Sequence, residues 1–69
     1  MNPYQRRRAI DAAVDARRKY QSWSFAAIKV RMTAPAMMEA LGYPVPRGPH
    51  PCPSHCLYRG YRIEATLDP

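Results

Sequence analysis

Between Tyr43 and His55 the chain places Pro44, Pro46, Pro49, Pro51 and Pro53, with Gly42 and Gly48 beside them. Proline fixes φ, has no amide hydrogen to donate and biases the residue before it away from helix. Residues 43–55 therefore read as an irregular loop, and regular structure must be built from the segments on either side. In 69 residues that leaves one small domain with a modest core, a size at which metals, disulfides or partners often supplement packing.

Residues 1–22 read as a basic amphipathic helix. Asn2 and Gln5 form a capping box, Pro3 suits the first helical position, and Ile10, Ala13, Val14 and Tyr20 recur at helical spacing. Residues 23–42 read as a strand and a short helix. In "FAAIKVRM" (25–32), Ile28, Val30 and Met32 alternate with Lys29 and Arg31, as in a strand with one wet face. In "TAPAMMEALG", Thr33 caps a helix that Gly42 ends, and one of the neighbours Met37 and Met38 should face outward. Residues 56–69 read as a hairpin and tail turning at Arg59-Gly60, with Tyr61, Ile63, Ala65 and Leu67 alternating. The expected fold is α+β: an N-terminal helix, then strand, short helix and β-hairpin forming a small three-stranded sheet of antiparallel type. Its expected core is Trp23, Phe25, Ile28, Val30, Leu41, Tyr61 and Ile63.

No apolar run approaches the roughly 20 residues that span a bilayer. The start of the chain also lacks the basic-then-apolar layout of a secretory signal. A cytoplasmic location is therefore expected, and two cysteines are too few for a disulfide-built scaffold.

The loop carries His50, Cys52, His55 and Cys56, the residue types that bind zinc, and Cys52 to His55 has the spacing of a zinc turn. Structural zinc sites ordinarily join two separated segments, however, and here all four groups come from one. The expectation is a stiff loop with no cofactor and with cysteines serving as small apolar groups, zinc being the alternative. A Cys–His nucleophile pair would lack an orienting third group and a cleft, so the chain is not expected to be an enzyme.

The net charge of +6 is uneven: Arg6, Arg7, Arg8, Arg17, Arg18 and Lys19 face only Asp11 and Asp15 in the first segment. The two basic clusters are eleven positions apart, close to three turns and about 16 Å along a helix axis. Such a stripe can meet an acidic partner or phosphates, and Tyr58, Arg59, Tyr61 and Arg62 add groups that stack on bases. The same residues suit a solvated face whose acids pair with bases along the helix.

The stretches "VRMTAPAMMEALGYP" and "LYRGYRIEATLDP" resemble many very small phage and prophage accessory proteins, with their basic strand, short helix and closing "Y-R-G-x-x-I" strand. The Pro-Cys-His segment departs from that pattern. The resemblance implies a viral product, such as an anti-CRISPR protein or an inhibitor of host RNA polymerase, that binds host machinery without chemistry. The partner expected from it is a host protein complex or ribonucleoprotein, bound by a monomer or small homo-oligomer. The alternative is a small basic nucleic-acid-binding module.

Overall fold

The computed structural model describes residues 2–48 and 52–68. The chain is α+β. Helix α1 (Pro3–Tyr20) is followed by strand β1 (Ile28–Thr33), helix α2 (Ala34–Leu41) and the strands β2 (His55–Tyr58) and β3 (Tyr61–Leu67).

Local chemistry sets the ends of the elements. The Asn2 side chain accepts from the Gln5 amide at 2.8 Å, and Gln5 Oε1 accepts from the Asn2 amide at 3.2 Å. The last turn of α1 carries Arg17, Arg18 and Lys19, the favourable sign for the negative end of the helix dipole. Thr33 Oγ1 accepts from the Ala36 amide at 3.3 Å to start α2. Gly42, at φ 80°, ends it, and the Tyr43 amide returns to the Met38 carbonyl at 2.9 Å. The hairpin turns through two left-handed residues, Arg59 at φ 52° and Gly60 at φ 81°, the backbone shape that matches the twist of paired strands.

The sheet is mixed rather than antiparallel, in the order β1-β3-β2. Strand β3 lies in the middle, antiparallel to β2 and parallel to β1, with Ile63 in register with both Ile28 and Cys56. Periodicity cannot say which hairpin strand will neighbour β1. Had β2 taken that place, the pairing would have been antiparallel. Instead the longer β3, seven residues against four, takes the central position, where it has neighbours on both edges.

The core gathers Ile10, Val14, Ile28, Val30, Met32, Met37, Ala40 and Ile63, with Leu41, Cys56, Tyr58 and Tyr61 packed around it. Ile28, Val30 and Ile63 are buried as expected, and Leu41 and Tyr61 partly so. Trp23 and Phe25 are not in the core: Trp23 is 73% exposed and Phe25 wholly so. Strand β1 begins only at Ile28, and the Arg17 guanidinium donates to the Ala26 carbonyl at 2.6 Å, holding the connection against the end of α1. Parity gives the deeper reason. In β1 the even positions face the core, so odd positions such as 23 and 25 would point outward even on a longer strand.

Both Met37 and Met38 are buried, contrary to the expectation that one faces out. Helix α2 is covered on two sides: Met37 enters the core, while Met38 meets the returning loop, with Cys52 Sγ 3.0 Å from Met38 Sδ.

Candidate functional site: an aromatic and arginine surface

The acids of α1 face the hairpin rather than the helix's own bases. Tyr58 Oη donates to Asp11 Oδ1 at 2.6 Å, and Arg59 reaches Asp11 at 3.4 Å and Asp15 at 3.3 Å. Arg7 Nε donates to Tyr58 Oη at 3.4 Å and its guanidinium lies 5.9 Å from the Tyr58 ring centre. These contacts dock the hairpin turn on α1. They also hold Arg59 in a left-handed conformation unfavourable for a residue with a Cβ. Tyr58→Phe is expected to lower stability by about 1–2 kcal/mol, because it strips a donor from a carboxylate without refilling the site. A melting temperature lowered by roughly 5 °C or more in a thermal scan would be the sign, and an unchanged one would reduce the contact to surface decoration.

The basic residues of α1 divide into three pairs, because residues eleven apart differ by only about 20° around a helix while sequence neighbours differ by about 100°. Arg6 and Arg17 are partly buried at one border of the packed face. Arg7 and Arg18 lie at the other border, Arg7 beside Tyr58. Arg8 and Lys19 point to solvent, Lys19 over the Tyr20 ring at 5.2 Å.

The sheet turns its apolar side chains to the helices and leaves its other face open. In-register pairing places Lys29, Glu64 and His55 in one row on that face, with Leu57 beside Arg62 in the next. At its hairpin end the open face joins the α1–β1 connection. Arg17, Phe25, Leu57, Tyr61 and Arg62 there border one open concavity of about 500 Å³. Trp23 lies two residues before Phe25, and Leu57 is 67% exposed. Arg17, Tyr61 and Arg62 are among the partner-binding residues expected from the sequence. Trp23 and Phe25 are expected in the core and Leu57 at no site, although the parity of Ile28, Val30 and Met32 is a usable signal for the two aromatics.

The Cys/His segment divides. His50 lies outside the described residues. His55 and Cys56 are consecutive in β2 and so turn to opposite faces. His55 Nδ1 is 3.1 Å from Ser54 Oγ and its Nε2 is 3.5 Å from Glu64, whereas Cys56 packs against the core. Both thiols are free. Among the described residues no three His, Cys, Asp or Glu side chains gather as a metal site would require.

Burial pushes the Cys56 thiol up, and nearby Cys52 adds to the shift. A raised thiol stays protonated in the folded chain where the unfolded chain would ionise. Its contribution to stability is therefore complete below the ordinary thiol range, about 8.5, and is lost as pH climbs through the higher folded value. At pH 8, iodoacetamide is expected to modify Cys56 more slowly in the folded protein than in urea, as read by mass spectrometry. Equal rates would mean that the thiol is not sheltered.

No helix among the described residues is long and apolar enough to cross a membrane. No protein-family model, curated protein or solved structure matches this chain.

Proposed function

We propose that this chain is a non-catalytic binding protein that docks on a larger host macromolecular complex through the surface around Trp23, Phe25, Leu57, Arg17 and Arg62. The observation that carries the reading is the full exposure of Phe25, which borders one concavity with exposed Leu57 and lies two residues after exposed Trp23. Burying a side chain of this kind is worth about 1.5–3 kcal/mol, a large share of what so small a domain can gain from its core. Clustered apolar side chains left in water next to guanidinium groups have the composition of an interface hot spot. That the target is a CRISPR effector or an RNA polymerase, and that the chain inhibits it, rests on the resemblance to small phage proteins alone.

A second reading, binding of nucleic acid, is favoured by the solvent-facing Arg8 and Lys19 and by the aromatic–arginine adjacency, which also suits stacking on bases. Tagged pull-down from a bacterial host, followed by mass spectrometry, tests the first reading. Titration of duplex and single-stranded DNA against salt tests the second, which requires micromolar binding with a steep salt slope. Reversing Arg7 and Arg18 to glutamate is expected to weaken partner binding by about tenfold or more through the reversed field. Arg7 also braces Tyr58, so a urea melt accompanies the measurement. Unchanged affinity in a folded variant would assign that border of α1 to solvation.

A further inference from the structure

Among the described residues strand β1 has a neighbour on one side only. The Val30 carbonyl accepts from Thr66 Oγ1 at 2.8 Å, so the polar backbone groups of Val30 face β3. Successive residues of a strand turn these groups to opposite edges, which sends those of Lys29 away from the sheet, while Arg31 falls in the irregular stretch between Val30 and Thr33 where the register with β3 shifts. A groove of about 480 Å³ follows this edge. Its walls are consecutive residues of β1, from both faces of the strand, and Arg6, Ala9 and Ala13 of α1, with Ala36 of α2 and Leu67 of β3 completing them. The alanines leave room for side chains of an incoming segment. The other outer strand, β2, has only four residues, and the Tyr43 hydroxyl already donates to its Leu57 carbonyl.

We propose that the β1 groove takes up an extended, acidic segment of a partner protein, added to the sheet as a fourth strand. Charge selects the occupant. Among the described residues Arg6, Lys29 and Arg31 border the groove and no carboxylate lines it; Glu64, the register partner of Lys29, stands on the β3 side, away from the open edge. A second copy of this chain, pairing edge to edge, would bring Lys29 and Arg31 against their own equivalents, a like-charge arrangement that sheets avoid. An alternating acidic and apolar segment meets those cations with carboxylates and supplies amides and carbonyls to the open backbone. This surface is separate from the one around Trp23 and Phe25.

The probe is a labelled peptide alternating glutamate and valine, with a lysine–valine peptide as control. The glutamate peptide is expected to bind at least about tenfold more tightly at low salt. It should shift the Lys29 and Arg31 amide resonances of the folded protein and slow hydrogen exchange at Lys29. The variant K29E/R31E should reverse the preference, and W23A/F25A should leave it unchanged. Equal binding of the two peptides, no binding, or resonance shifts confined to the Trp23–Phe25 surface would overturn the proposal. A concentration-dependent dimer with the Lys29 amide protected would do so as well, by giving the edge to a second copy.

Discussion

Ile63→Ala is expected to remove a large share of the stability of this protein. Ile63 is fully buried at the middle of the central strand, in register with Ile28 on one side and Cys56 on the other, and it belongs to the cluster that joins Ile10 and Val14 of α1 to Met37 of α2. Truncating such a side chain loses its transfer free energy and leaves a cavity bounded by three elements that cannot all close on it. Isoleucine-to-alanine changes of this kind lose about 2–5 kcal/mol. A domain of this size has on the order of 5 kcal/mol in total. The urea midpoint should therefore fall by roughly two-fifths or more with an unchanged slope. Met37→Ala should behave similarly from the helical side. Phe25→Ala, on a side chain that touches water all round, should leave the stability within about 0.5 kcal/mol of the original. An Ile63→Ala protein within about 1 kcal/mol of the parent would mean that the core is not centred on β3.

The double change W23A/F25A is expected to show the opposite pattern, with folding kept and partner binding lost. Each aromatic, as an interface anchor, carries about 2 kcal/mol or more, and paired losses rarely sum fully, so affinity should fall by at least about 100-fold. The measurement is a titration of the captured partner with parent and variant, beside urea melts of both. Retained affinity would remove the aromatic surface from the proposed function. A marked loss of stability would show instead that Trp23 and Phe25 pack against the fold. The two experiments cross: the residue that matters most for folding is absent from the docking surface, and the docking residues contribute nothing to the core.

Much of the fold is written in local chemistry. The capping box at Asn2 and Gln5, the Thr33 cap, the left-handed Gly42 and the Arg59-Gly60 turn are short-range arrangements of backbone and nearby side chains, so the sequence alone determined the start of α1, both ends of α2 and the hairpin turn. The strand read from Phe25, in contrast, begins only at Ile28. The alternation of Ile28, Val30 and Met32, and of Tyr61 and Ile63, likewise determined which strand faces are apolar. Local spacing carries no information about which strands become neighbours. Only the tertiary structure placed β3 between β1 and β2, made the sheet mixed and left β1 with an open edge. The same holds for charge. Asp11 and Asp15 sit at helical spacing from Arg8, Arg18 and Lys19, yet they are engaged by Tyr58 and Arg59, some 45 residues away in the chain. Exposure is decided in the same way. Large aromatics such as Trp23 and Phe25 suit a core by hydrophobicity, but an 18-residue helix and a strand that starts at Ile28 leave their connection outside. Composition says how much apolar surface a chain has to bury, and only packing decides which of it stays in water.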